Sequence, residues 1–185
     1  MKKIRRIKEV ELKKRYCPPK GGFTLIELLI VIAIIAILAI IIVIAINPAK
    51  ILEKSRDSQR FSDMTSLATA VNLYLADNQT LPATSSATTQ DAGCLADLNA
   101  CKKNDGTGWV PLNFSLVSSG APLAALPLDP TNDATNYYRF GWNSTSKTYE
   151  IDCAFESTDN TAKHAADGGN NANRYEVGTD LTTLP

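Results

Sequence analysis

Nineteen unbroken apolar residues, Leu28 to Ile46, leave this chain few ways to fold. As a helix rising about 1.5 Å per residue the run is about 28 Å long, close to the hydrocarbon core of a bilayer at about 30 Å. It contains neither Gly nor Pro, and Ala33, Ala36, Ala39 and Ala45 interrupt its Ile and Leu. Small residues of this kind let helix backbones approach one another in lipid. A core helix of a soluble protein is the bland alternative, but such helices carry apolar runs of only about 10–14 residues.

The segment ahead of the run is Gly21-Gly22-Phe23-Thr24-Leu25-Ile26-Glu27, preceded by a stub crowded with Lys and Arg. A secretory signal has an apolar core of about 7–15 residues with its cleavage site after that core. Here the small residues stand before it, so the apolar segment stays on the processed protein. Residues 1–22 hold nine of the nineteen basic residues and two of the nineteen acidic ones, a net charge of +7. The remaining 163 residues carry a net −7, so the formal zero of the chain conceals two opposite halves. Positive flanks stay in the cytoplasm and place the rest of the chain outside. A net of −7 argues against nucleic-acid binding, which needs basic groups to neutralise phosphates. Lys102-Lys103 reads as a solvated surface pair.

Gly-Gly-Phe-Thr-Leu-Ile-Glu in front of a long apolar helix resembles the class III leader of type IV prepilins and of the pseudopilins of type II secretion. The resemblance is tight over residues 20–46. It implies cleavage of the Gly22–Phe23 bond by a membrane-embedded prepilin peptidase and N-methylation of Phe23, with Glu27 the fifth residue of the mature chain. Glycine suits such a bond because it brings no side chain into a protease cleft. Many pilins carry a Pro or Gly within the apolar segment. This chain departs from that pattern, its first Pro after the junction being Pro48.

Glu27 has two compatible readings. Thr24-x-x-Glu27 is a capping box, with Phe23 and Leu28 placed as a hydrophobic staple. A carboxylate at membrane depth is also costly and marks a partner. The resemblance supplies one: the amine of a cleaved Phe23 on a neighbouring subunit, in a pairing that sets subunit register in a filament.

Beyond Pro48 the pattern turns amphipathic. Phe61, Met64, Leu67, Ala68, Val71, Tyr74 and Leu75 recur at helical spacing. Lys50, Glu53, Lys54, Arg56, Asp57, Arg60 and Asp63 form a mixed-charge face with pairs at i, i+3. The reading is one helix of some fifty residues that ends by Asn78. Residues 83–90 read as a polar loop, residues 91–130 as short helical and irregular pieces. Tyr137–Trp142 and Thr148–Phe155 form a β-hairpin, with Arg174–Gly178 a third strand. In the second strand Tyr149, Ile151 and Cys153 alternate with Glu150 and Asp152, one buried face and one wet face. Leu126-Pro127-Leu128-Asp129-Pro130 resembles the same region of the major type II pseudopilin.

The organisation is therefore a cleaved leader at 1–22, a transmembrane or filament-core helix at 23–47, its amphipathic continuation at 48–78 and a globular head at 79–185. The fold class is α+β: a long N-terminal helix packed by its second half on a small antiparallel sheet, as in the pilin fold.

Cys17 leaves with the leader. Cys94 and Cys101 flank a short segment in an oxidising compartment and are the foremost disulfide pair; bridges from either to Cys153 remain open, since sequence alone does not fix connectivity. His164, the single histidine, sits in a polar stretch, and no nucleophile, zinc or phosphate-loop motif points to an enzyme. Asp159, Asn160, Asp167 and Asn171 place hard oxygen donors near tight turns, a composition suited to Ca²⁺. The resemblance adds that major pseudopilins bind calcium in a comparable loop. Asp159 and Asp167 are thus candidate calcium ligands.

The resemblance implies a structural subunit that polymerises with copies of itself. Its other partners would be the prepilin peptidase, a membrane platform protein, an assembly ATPase and, before assembly, the lipid bilayer. It would start in the cytoplasmic membrane as a single-pass protein, N-terminus inside, and move to an extracellular or periplasmic filament. The alternatives are a pseudopilin of a secretion or DNA-uptake machine and a single-pass anchored binding protein that does not polymerise.

Overall fold

The computed structural model describes residues 21–185 except Asn78 and Thr84, and gives no side-chain account of Ala92. The basic stub and Cys17 lie outside the described residues. The chain divides into two compact units after Ala45.

The first unit is built on helix α1, Leu25–Ile46, none of whose residues is buried. An α-helix that is apolar on every side belongs in a large core or a membrane. This one is long and apolar enough to cross a membrane. The expected fifty-residue helix is not continuous. Asn47 adopts a left-handed conformation (φ 47°, ψ 82°) and α2 restarts at Pro48, spanning Pro48–Ala76. Proline has no N–H for the helix ladder and pushes the preceding residue out of the α region. Asn is among the few residues that tolerate the left-handed alternative.

The second unit packs α2 on a four-stranded antiparallel sheet of order β1-β2-β3-β4: Ser85–Thr88, Arg139–Asn143, Thr148–Cys153 and Tyr175–Gly178. The β2–β3 hairpin pairs Phe140 with Ile151 and Trp142 with Tyr149. Two short helices, α3 (Ala92–Ala96) and α4 (Leu98–Cys101), and a 3₁₀ turn at Phe114–Leu116 fill the connection from β1 to β2. Strand β1 falls within the segment expected to be a loop. Its Ser and Thr residues carry no apolar alternation, and it forms an edge strand because β2 offers it a backbone ladder, Ala87 opposite Phe140.

Met64, Leu67, Ala68, Val71 and Tyr74 of α2 are buried with Phe140, Trp142, Tyr149, Ile151 and Cys153 of the sheet. Burying each large apolar side chain is worth about 1.5–3 kcal/mol. The Tyr149 hydroxyl lies 3.1 Å from the Ala68 carbonyl and 3.0 Å from Asn72 Oδ1, its single proton shared between these two acceptors, tying β3 to the helix. Phe61 departs from the expected core face: it stays 45% exposed, with Tyr175 beside it at 5.7 Å. His164 is buried, stacked 5.2 Å from Phe155, and its Nε2 accepts from the Phe155 N–H. Burial lowers its pKa.

Two charged sets expected on wet faces are also inside. Asp57 and Arg60 of α2 are buried, and so are Glu150 and Asp152 of β3. The alternation along β3 sets side-chain direction correctly. The face opposite α2 is nonetheless covered, by partners far along the chain.

Candidate functional site

Gly21 and Gly22 lie in extended chain ahead of α1, with no atom within 4 Å of a Cβ built on either. Phe23 is 88% exposed. The bond between Gly22 and Phe23 is thus unobstructed on the side of the described chain. Thr24 caps α1: its hydroxyl accepts from the Glu27 N–H at 3.2 Å, while Glu27 Oε2 accepts from the Thr24 N–H at 2.8 Å and from its hydroxyl at 2.7 Å. This reciprocal pattern is a capping box, satisfying donors that the first turn of a helix leaves orphaned. Every hydrogen bond of Glu27 described here stays within its own turn, and the carboxylate sits at the end of a helix exposed along its whole length.

Residues 18–43 match the family described as the prokaryotic N-terminal methylation motif. The chain carries a prepilin-type leader. The match takes in Gly22, Phe23 and Glu27 and runs most of the way along α1; residues 18–20 lie outside the described part. This motif is characteristic of type IV pilins and pseudopilins. No match was found among curated proteins or solved structures. The long apolar helix, the helix after it and the small four-stranded antiparallel sheet are an α+β arrangement consistent with the pilin fold.

Cys94 and Cys101 form a disulfide, and Cys153 is a buried free thiol whose pKa burial pushes up. The structure gives Asp159 and Asp167 different partners. Asp159 pairs with Lys54 at 2.5 Å in an exposed ion pair. Asp167 accepts the Gly169 N–H through Oδ1 (2.9 Å) and the Glu176 N–H through Oδ2 (2.8 Å), which clamps the turn before β4. Among the described residues no three His, Cys, Asp or Glu side chains gather in a way that holds a metal.

The Asp57–Arg60 pair expected from i, i+3 spacing belongs to a larger buried cluster whose other members spacing did not show. Arg60, fully buried, donates to Asp129 through Nε (2.7 Å) and Nη2 (2.8 Å), to Asp57 through Nη1 (3.0 Å) and to Glu156 through Nη2 (2.6 Å). Arg56 also holds Glu156, from the next turn of α2. Asp57 accepts the Glu156 and Ser157 N–H groups at 2.8 and 2.9 Å. Burial pushes the Asp129 carboxyl up, but hydrogen bonds from Arg60 and Thr131 outweigh it and hold the group below its ordinary value. Glu156 is held low first by Arg56, against a smaller burial effect, and then by Arg60. The sequence signals for this cluster are the i, i+3 spacing of Asp57 and Arg60 and the Leu126–Pro130 segment that carries Asp129.

Proposed function

We propose that this chain is the structural subunit of a type IV pilus or pilus-like filament, cut by a prepilin peptidase between Gly22 and Phe23 and polymerised through α1. The observation that carries the reading is a methylation motif laid over a helix with no buried residue. Before assembly the bilayer covers that helix; in a fibre, copies of it pack together. The basic stub remains in the cytoplasm and the acidic head stands outside. Glu27 neutralises the new amine of Phe23 on a neighbouring subunit, leaving its own cap to do so. A membrane platform protein and a cytoplasmic ATPase drive the addition of subunits. The role is structural, with no catalytic step.

A pseudopilin of a secretion or DNA-uptake machine is the second reading, favoured by the Leu126–Pro130 segment and its Asp129. Recovery of the protein in sheared surface fibres supports a pilus, and its retention in the envelope supports the pseudopilin. Cleavage is tested by mass spectrometry of the full chain co-expressed with a prepilin peptidase. The expected product begins at Phe23 and is N-methylated, and Gly22→Leu keeps the leader attached. A terminus after Ile46 would refute the reading.

A further inference from the structure

The face of the sheet turned away from α2 is closed by segment 179–185. Its Leu184 is buried, and an ideal Cβ on Gly141 of β2 would lie 2.7 Å from the Leu184 side chain, so the glycine forms the seat. The Leu184 N–H donates to Glu150 Oε2 at 2.8 Å. Asn170 Nδ2 holds the Leu184 carbonyl (3.3 Å), and Arg139 holds the Pro185 carbonyl through Nη1 and Nη2 (both 3.1 Å). Asp180 turns the segment by accepting from Thr182.

Beneath this segment lie two carboxyl groups that the rest of the face does not satisfy. Glu150 is fully buried and Glu176, on the adjacent strand, is 2% exposed. Each has one hydrogen-bonded oxygen, Glu150 Oε2 with Leu184 and Glu176 Oε2 with the Asn171 N–H at 3.0 Å. Each leaves the other oxygen, Oε1, buried without a donor. With Glu150 opposite Gly178 and Asp152 opposite Glu176, the two glutamates are diagonal neighbours on the same face of the β3–β4 pair, within reach of long side chains. Both are acceptors when ionised, so the missing element is a donor.

The charges around them identify that donor. Arg139 of β2 and Arg174, just ahead of β4, are both committed to Asp152 of β3. Arg174 also donates to the Tyr137 carbonyl (2.5 Å) and lies over the Tyr137 ring. Asp167 approaches from the loop before β4 but is turned to the Glu176 N–H, and Asp180 lies on the closing segment itself. Asp152 is matched by these two guanidiniums, whereas no ion pair among the described residues reaches Glu150 or Glu176. A proton on one of the two lowers their mutual repulsion and supplies the absent donor.

We propose that segment 179–185 is a pH-sensitive latch, held on the outer face of the sheet by one proton shared between Glu150 and Glu176. Like charges in one buried site cannot both ionise cheaply. Burial first, and the Glu176 carboxyl second, push Glu150 up to about 7. The folded pKa lies above the ordinary value of 4.5. The closed latch therefore binds more protons than the open one between those limits. Closure is strongest below the lower limit, weakens as pH rises toward the upper one and then levels off. Opening releases the Leu184 N–H from Glu150 and uncovers Gly141.

The test is hydrogen exchange on the full chain in detergent micelles, followed by mass spectrometry of the 179–185 region and corrected for intrinsic rates. Protection should fall by up to about tenfold per pH unit between pH 5 and 7 and then flatten. Glu150→Gln replaces the shared proton with an amide donor that does not titrate, and should keep the region protected at every pH. Wild-type carboxyl NMR provides a second reading that needs no variant: one glutamate should titrate well above the others. Flat wild-type protection, a slope that survives in Glu150→Gln, or protection restored at pH 8 by added Ca²⁺ would each overturn the shared proton.

Discussion

Arg60 and Asp129 stand sixty-nine residues apart and meet in a two-point fork, Nε to Oδ2 at 2.7 Å and Nη2 to Oδ1 at 2.8 Å. The fork fastens α2 to the segment entering the sheet, and Glu156 extends it to the chain leaving β3. Removing one member of a buried ion pair leaves the other charge uncompensated, at a cost of about 3–5 kcal/mol. Arg60→Met should therefore destabilise the head by that amount in a denaturant melt. A loss below 1 kcal/mol would mean that water reaches the cluster.

Acid should loosen the same cluster. Asp129 and Glu156 titrate below their ordinary values of 3.8 and 4.5. A depressed folded pKa gives stability that is complete above the ordinary value and is lost as pH falls through the depressed one. The melting temperature should hold near pH 5 and drop progressively below about pH 4. In Arg60→Met that acid-dependent loss should shrink. An unchanged acid limb in the variant would place the loss elsewhere.

Glu27→Ala separates the cap from assembly. The cap is local to the first turn of α1, so insertion and cleavage should proceed normally. Entry into fibres should fall sharply if the carboxylate meets the Phe23 amine of a neighbour. Fibre yield measured after shearing decides between them, since a wild-type yield would reduce Glu27 to its bond with Thr24.

Asp159 and Asp167 should differ in their cost. Asp159→Ala removes an exposed ion pair with Lys54, worth about 0–1 kcal/mol. Asp167→Ala orphans the Gly169 and Glu176 N–H groups, the second on a buried residue, and should cost about 1–3 kcal/mol. Neither calcium nor chelator should move the melting temperature. A calcium-dependent rise abolished by Asp167→Ala would reinstate a metal at this loop.

Local pattern was enough for the parts of this protein whose physics is local. An unbroken apolar run specifies a helix that water cannot surround, and Thr24-x-x-Glu27 specifies its cap. The 3.6 period around Met64, Leu67 and Val71 and the alternation Tyr149, Ile151, Cys153 pick out which face of α2 meets which face of β3. Strand β1 has no such period, because an edge strand of Ser and Thr takes its form from the backbone of β2. Spacing also left Arg60 on a solvated helix face and Glu150 on a wet strand face. Both are buried, since the groups that cover them, Asp129 and Leu184, lie 69 and 34 residues away. Direction along a strand or helix is a property of neighbouring residues. Whether a charged side chain ends in water or in the interior depends on which distant segment folds over it, and only the tertiary structure decides that.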